Sequence, residues 1–236
     1  MSRSVSEITA QKVYVYDLSL RLWHWFNAVT VIVLCTTGYL IASPPVVTGG
    51  EASDHFLMGD IRFVHFSAGY LLAIGFLFRC YWVFAGNEHA RQLFFPPLLS
   101  SGFWDGVWHE IRWYAFVDGE PRKYIAHNPL AVLFMHLVLV WGTLFMIFSG
   151  LALYGEGEGQ GSWQYDLFSG WMLPLFGQSQ GLHSLHHLVM WVMVCFIIMH
   201  VYVAVREDKM SRQTLLKTMV TGWREFKDDK PVDDGH

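Results

Sequence analysis

Four long apolar segments dominate this sequence and restrict the folds open to it. They cover approximately Leu22–Ala42, Phe63–Ala85, Leu130–Tyr154 and Leu185–Val205. Each has the roughly 20 residues that a helix needs to cross a hydrocarbon layer of about 30 Å. Because lipid offers backbone groups no hydrogen-bond partners, such segments must be helical. The sequence therefore predicts an all-α integral membrane protein built as a four-transmembrane-helix bundle.

Composition agrees with a lipid-facing protein. Hydrophobic residues make up 53% of the chain and charged residues only 15%, whereas soluble domains carry about a quarter charged residues. The net charge of -4 argues against a nucleic-acid partner. We expect one membrane domain over residues 1–236, with residues 206–236 as a tail.

A fifth segment, Gly102–Val117, is rich in tryptophan but too polar to cross the membrane. Its charged or titratable residues would be costly at mid-membrane depth. Its apolar residues recur at helical spacing, which is typical of a helix lying in the membrane interface. The polar set is Asp105, His109, Glu110 and Arg112, and the apolar set is Trp104, Val107, Trp108 and Ile111. The sequence predicts an interfacial amphipathic helix between spans two and three.

The placement of lysine and arginine predicts the topology. The loop between the first two spans holds Arg62 alone, and Gly155–Gly181 holds no basic residue. The other 15 of 16 basic residues lie in the N-terminal segment, at the end of span two, in the middle loop or in the tail. The positive-inside rule then places both termini in the cytoplasm. We expect a multi-pass protein of the bacterial inner membrane.

Four histidines lie inside the predicted spans at two matching depths. His65 and His186 lie near the outer surface, whereas His24 and His200 lie near the inner surface. Each pair comes from two different helices, as bis-imidazole ligation of a haem requires. Depth therefore predicts an outer haem at His65/His186 and an inner haem at His24/His200.

The spacing within span four supports this assignment. His186 and His200 are 14 residues apart, which is about 3.9 turns and a rise of about 21 Å. Both side chains therefore lie on one helix face, at two depths. His183 and His187 lie on the order of 100° to 140° away from that face. Helix geometry therefore favours His186, and not His183 or His187, as the second haem ligand on the face of His200.

Other readings of the histidines remain open. His183 and His187 have the i, i+4 spacing of a metal pair, but no nearby acidic or thiol ligand completes a site. Membrane histidines could also relay protons in a transporter or channel, which would bind no chromophore. A membrane metalloenzyme would need a nucleophile or carboxylate, and the predicted spans contain no Asp or Glu. His136, unpaired in span three, is expected to pack or to form a hydrogen bond.

Several ordered motifs resemble a known family. They are Arg-Leu-Trp-His-Trp (21–25), Ile-Arg-Phe-Val-His-Phe (61–66), His-Asn-Pro-Leu-Ala (127–131), His-Ser-Leu-His-His-Leu (183–188) and Arg-Glu-Asp-Lys-Met (206–210). The pattern resembles the cytochrome b subunit of membrane-bound respiratory nickel–iron uptake hydrogenases. A more distant resemblance is to the cytochrome b subunit of formate dehydrogenase, so the b subunit of another dehydrogenase remains an alternative.

The resemblance implies an electron-transfer subunit and not an enzyme in itself. Two haem b groups held by His24, His65, His186 and His200 would carry electrons from the iron–sulfur chain of a periplasm-facing hydrogenase to a membrane quinone. The implied partners are the hydrogenase small subunit, with its C-terminal transmembrane helix, and through it the large subunit, which oxidises hydrogen. The chain would also anchor that hydrogenase to the membrane.

The resemblance also suggests where quinone binds. In formate dehydrogenase relatives the site lies near the inner haem, beside an Asn-containing turn before the third span, and His127-Asn128-Pro129 matches that turn. Asn128 could donate to a quinone carbonyl and His127 could supply a proton. A plain helix start is the alternative, because Asn is a good N-cap and Pro suits the first helical position.

The segment Gly155–Gly181 is unusually apolar for an exposed loop. Its large apolar residues are Trp163, Leu167, Phe168, Trp171, Met172, Leu173 and Phe176. Such a patch commonly marks a partner or membrane interface. We expect part of it to lie among lipid headgroups and part to contact the hydrogenase.

Overall fold

A computed structural model describes residues 11–46, 56–119, 122–210 and 213–226 of the chain. The predicted tail is thus described only as far as Phe226. His55, His236 and the tail residues Lys227 and Lys230 lie outside the described residues.

The described residues form mainly helices. They also include a short two-stranded antiparallel β-ribbon. In chain order the elements are β1 (Gln11–Tyr14), α1 (Leu18–Ala42), α2 (Leu57–Ala85), α3 (Glu88–Arg91), α4 (Ser101–Tyr114), α5 (Pro129–Met135), a π-helical segment (His136–Gly142), α6 (Thr143–Glu158), a second π-helical segment (Tyr165–Ser169), α7 (Gly170–Leu175), α8 (Gln178–Met210), α9 (Leu215–Thr221) and β2 (Trp223–Phe226).

Among the described residues, four helices are long and apolar enough to cross a membrane: α1, α2, the continuous stretch Pro129–Glu158, and α8. Every predicted span lies within one of them, and α2 and α8 extend well past the predicted ends. The predicted fold class, an all-α membrane protein with four spans, is confirmed.

The third span begins at Asn128, as its sequence indicates. The Asn128 side chain accepts a hydrogen bond from the Ala131 amide at 2.7 Å, and Pro129 occupies the first turn. Because Pro lacks an amide proton, it costs the helix nothing at this position. The span then widens into a π-helical segment at His136–Gly142, a feature frequent at functional sites.

The described residues fall into two compact units. The ribbon unit comprises the described parts of Met1–Leu22, Trp82–Leu137 and Ile197–His236, and the helical unit comprises the described parts of Trp23–Tyr81 and Val138–Phe196.

In the ribbon unit, β1 and β2 pair antiparallel, with Gln11 opposite Phe226 and Tyr14 opposite Trp223. The buried Arg224 guanidinium donates to the carbonyl oxygens of residues 124, 125 and 126 at 2.6, 2.7 and 2.7 Å. These bonds satisfy loop carbonyls that would otherwise be buried without partners. Arg224 therefore ties the ribbon to the loop that leads into span three.

Helix α4 confirms a helix between spans two and three and shows which face packs inside the chain. Phe103 and Val107 form a core with Val132 of α5, and Glu110 is only 1% exposed. Trp104 and Trp108 are exposed. Of the predicted apolar face, Val107 is buried within the chain while the tryptophans face outward, so the interfacial position of α4 stays a prediction.

In the helical unit, the segment after span three is helical and partly buried. Met172 and Leu173 of α7 form a core with Ala152 and Leu182. The expectation that both residues lie on an exposed apolar loop is therefore wrong, because α7 turns them into this core. Trp163, Leu167 and Trp171 of the same segment stay exposed.

Candidate functional site

His65 of α2 faces a threonine of α1 within the helical unit. Its Nδ1 lies 2.8 Å from the Thr37 hydroxyl oxygen. The same hydroxyl lies 2.7 Å from the Val33 carbonyl oxygen of its own helix, to which it donates. Because a hydroxyl has only one proton to give, Thr37 accepts from Nδ1–H of His65.

His186 of α8 has the same arrangement with a serine of α6. Its Nδ1 lies 2.7 Å from the Ser149 hydroxyl oxygen, and that hydroxyl donates to the Phe145 carbonyl oxygen at 2.7 Å. Ser149 is fully buried. The hydrogen-bond geometry therefore assigns the proton of His186 to Nδ1, as it does for His65.

This tautomer leaves Nε2 of both imidazoles as a lone-pair donor. Metal-ligating histidines commonly give the other ring N–H to an acceptor in this way, which fixes the tautomer and the ring orientation. His65 and His186 also lie close enough to interact electrostatically. The helical unit thus brings the two predicted outer ligands near each other.

A glycine follows each of the two hydroxyl residues. A Cβ built on Gly38 would lie 3.2 Å from Cε1 of His65, and one built on Gly150 would lie 3.5 Å from Cε1 of His186. Each imidazole therefore lies against the bare backbone of a neighbouring helix. Small residues allow this close approach.

His24 and His200 belong to different units. His24 is half-buried in α1 of the helical unit and meets the Trp25 ring edge-on, with ring centroids 5.2 Å apart. His200 is half-buried in α8 and lines a pocket of the ribbon unit. The pairing of these two residues stays a prediction from their depth in the sequence.

The neighbouring histidines of α8 bond within their own helix. Nδ1 of His183 lies 3.0 Å from the Ser179 carbonyl oxygen, and Nε2 of His187 accepts from the Trp191 indole at 2.9 Å. Among the described residues, no group of three or more His, Cys, Asp or Glu side chains is arranged to hold a metal ion. These contacts give the i, i+4 metal pair no support.

His136 forms the hydrogen bond expected of it. Its Nδ1 lies 3.0 Å from the Leu93 carbonyl oxygen. The residue stands at the start of the π-helical segment of span three.

The pocket of the ribbon unit contains both residues of the predicted quinone turn. Its lining includes His127, Asn128, His200, Glu207, Arg122 and Arg224. The Tyr16 hydroxyl lies 3.1 Å from Nε2 of His127 and 3.2 Å from its Nδ1. The ring of Tyr16 also packs against that imidazole, with centroids 5.5 Å apart.

Asn128 has two functions in this pocket. Its side-chain oxygen caps α5, as the helix-start reading predicted. Its side-chain amide donates to the Tyr114 hydroxyl at 3.3 Å. The amide has a second N–H, so capping and ligand contact are compatible in one side chain.

Comparison with known proteins supplies the deciding observation. A family model described as "Prokaryotic cytochrome b561" matches residues 15–222. The chain belongs to this cytochrome family.

Similar relatives cover almost the whole cytochrome. A protein of Azotobacter chroococcum mcd 1 is 57% identical over 219 residues, which is 93% of this chain and 91% of the relative. One from Cupriavidus necator is 52% identical over 215 residues, covering 91% and 88%. Both are named "Probable Ni/Fe-hydrogenase B-type cytochrome subunit". A similarly named protein of Escherichia coli (strain K12) is 41% identical over 222 residues, covering 91% of each.

The family implies haem b, and the donor set of the helical unit fits that group. Haem iron takes axial ligands such as neutral imidazole, and the hydroxyls of Thr37 and Ser149 leave Nε2 of His65 and His186 in the required form. In this cytochrome the bare backbones at Gly38 and Gly150 lie against the same two rings.

Sequence reasoning missed the hydroxyl partners, although a signal was present. Thr37-Gly38 and Ser149-Gly150 repeat one hydroxyl–glycine pattern on spans one and three. Tyr114 and Glu207, which meet near the pocket of this cytochrome, had no such signal because they lie 93 residues apart.

Proposed function

We propose that this chain is the dihaem cytochrome b subunit that carries electrons from a periplasm-facing nickel–iron hydrogenase to the membrane quinone pool. The names of the relatives support the hydrogenase association. The observation that carries the haem assignment is the matched pair of hydroxyl-bound histidines, His65 and His186. The chain has no hydrogen chemistry of its own in this proposal.

Haem b, when bound, supplies an iron that accepts and releases single electrons. The protein residues would hold it in place: Nε2 of His65 and of His186 would bind one group, and the depth of His24 and His200 in the sequence assigns those two residues to the other. Thr37 and Ser149 hold the first two imidazoles in the binding tautomer. Two haem groups at different depths would give electrons a route across the membrane.

The pocket beside His200 is the proposed quinone site. It contains the amide of Asn128 and the imidazole of His127, the two residues of the predicted turn. The amide donates to a carbonyl oxygen of the bound quinone, and Tyr16 holds His127 beside it. Because His200 lines the same pocket, a haem held by His200 would lie beside the quinone site and could supply its electrons.

The hydrogenase is proposed to dock on the opposite side of the membrane from the tail. The segment between spans three and four carries no Lys or Arg and exposes Trp163, Leu167 and Trp171. An apolar surface of this kind is typical of a partner or lipid interface. We assign it to the small subunit and its transmembrane helix, with both termini of this chain in the cytoplasm of a bacterium.

A reduced-minus-oxidised spectrum of the purified full chain, with a pyridine haemochrome assay, tests the central claim. We expect a b-type α-band and close to two haems per chain. His186→Ala should lose one of the two haems. His183→Ala is the matched control, since His183 is exposed and bonds to its own helix. A folded, colourless protein after haem-replete expression would refute the proposal and favour a proton-relay transporter.

A further inference from the structure

Glu207 is a buried acid on the wall of the pocket that contains His127 and Asn128. Its side chain belongs to α8 and is only 7% exposed. The Tyr114 hydroxyl of α4 donates to its carboxyl oxygen at 2.7 Å. The Asn128 amide donates in turn to the Tyr114 oxygen. A directed chain of hydrogen bonds therefore links the predicted quinone turn to a carboxyl group.

A second buried acid interacts with Glu207. Burial first, and repulsion by Glu207 second, raise the pKa of Glu110 from 4.5 to about 8, although Arg122 and Arg206 oppose the shift. Glu110 therefore keeps its proton at neutral pH. Tyr114 also keeps its proton, because burial and the charge of Glu207 raise its pKa far above the ordinary value.

Several positively charged side chains lie near Glu110 and Glu207. Arg206, beside Glu207 in the sequence, stacks over the ring of Trp113 at 4.4 Å and donates to the Trp113 carbonyl oxygen. Arg122 and Arg224 line the pocket, together with the imidazoles of His127 and His200. These cationic groups stabilise the negative charge of the Glu207 carboxylate.

Arg224, which lines the pocket, has a buried donor without an acceptor among the described residues. Its side chain is 2% exposed, and its Nη1 is satisfied by backbone carbonyls. Its Nε has no hydrogen-bond acceptor within the part of the chain that the structure describes. An unsatisfied buried donor is costly. The oxygen of a bound carbonyl compound, such as a quinone, would satisfy it.

We propose that the Glu207 carboxylate relays protons to a quinone bound in this pocket, and that Tyr114 positions that carboxylate. The inference rests on the proposed function and extends it to the protons. Reduction of a quinone to a quinol consumes two electrons and two protons, and each carbonyl oxygen forms one O–H bond. A haem held at His200 would supply the two electrons. The Glu207 carboxylate takes up each proton from solvent and passes it to the quinone, so that it is a carboxylate again after each transfer.

Steady-state reduction of a short-chain ubiquinone analogue by H₂, in the membrane complex with the hydrogenase, tests this role. Glu207→Gln keeps the size and the acceptor for Tyr114 but has no proton to give. We expect kcat to fall at least ~100-fold, the lower end of the range for a lost proton-transfer group, with KM nearly unchanged. Haem reduction by H₂ should stay complete. Small weak acids such as formate should restore part of the rate, and Glu207→Asp should retain most of it.

The matched control is Asp208→Asn, the same change one residue along the helix. Asp208 accepts from the Leu216 amide and does not line the pocket. Unchanged kcat in Glu207→Gln, or an equal loss in Asp208→Asn, would overturn the proton role while leaving electron transfer intact. A wild-type complex whose haems H₂ does not reduce would refute the proposed function itself. If Glu207→Gln fails to assemble, Tyr114→Phe decides: a pH profile identical to wild type would overturn the role.

Discussion

Ser149 accepts a hydrogen bond from Nδ1 of His186 at 2.7 Å while it donates its own proton to the Phe145 carbonyl oxygen. Thr37 does the same for His65 from a different helix. Each predicted outer ligand therefore comes from one span and its hydrogen-bond acceptor from another. Spans one and three, which supply neither His65 nor His186, determine how those two rings are oriented.

Loss of the Thr37 hydroxyl should weaken the outer haem site. Thr37→Val keeps the shape but leaves Nδ1 of His65 without its acceptor, and such changes typically weaken metal binding by about 10- to 100-fold. We expect a lower haem content and an altered electron paramagnetic resonance signal for one of two haems. Thr37→Ser should restore both. Thr36→Val is the control, since the Thr36 hydroxyl donates to the Ile32 carbonyl oxygen of its own helix; an equal loss there would contradict the assignment.

Alanine substitutions at two glycines should show whether haem is lost through contact with the His65 ring or through a general change in helix stability. An alanine Cβ at Gly38 would press on the His65 ring at 3.2 Å, whereas at Gly69 it would meet nothing within 4 Å. Gly38→Ala should therefore lose haem. Gly69→Ala should retain haem and gain up to about 1 kcal/mol in helix stability. Haem content and thermal unfolding of the two variants measure this; equal haem content would show that the ring is free to move.

The spans and the cap of span three could be predicted because their signals are local. Apolar length determines a span, and Asn128-Pro129 determines a helix start within two residues. The ribbon could not be predicted, since β1 and β2 pair across more than 200 residues and each contributes only four. Burial of Met172 was missed for a related reason: sequence shows that a segment is apolar, but not which side of it meets its own chain.

Substitutions of Asn128 should change helix stability and quinone reduction separately. Asn128→Ala removes the cap of α5, which typically costs about 1 kcal/mol, and also the donor to Tyr114. Asn128→Ser keeps a capping oxygen but lacks the amide. We therefore expect Ser to recover the thermal stability lost in Ala, while quinone reduction stays slow in both. Normal quinone kinetics in Asn128→Ser would leave Asn128 with only its capping role.

Glu110 should make the stability of the protein depend on pH. Its pKa is raised to about 8 in the folded chain from 4.5, so between these values the unfolded state releases a proton that the folded state keeps. Stability from this residue is therefore full below pH 4.5 and declines as pH rises to about 8. Glu110→Gln should have a shallower decline of Tm over this range. A wild-type slope in Glu110→Gln would contradict this assignment.

Trp171 and Met172, two adjacent residues between spans three and four, should respond differently when each is replaced by serine. Trp171 is 47% exposed, whereas Met172 is 2% exposed and lies in the core with Leu182. Trp171→Ser should reduce co-purification of the hydrogenase small subunit and leave the haem spectrum and Tm of the isolated chain unchanged. Met172→Ser should lower Tm, since removal of a buried large side chain typically costs about 2–5 kcal/mol. Undiminished co-purification in Trp171→Ser would assign this tryptophan to the lipid headgroup layer, because the same exposed ring suits that environment equally well.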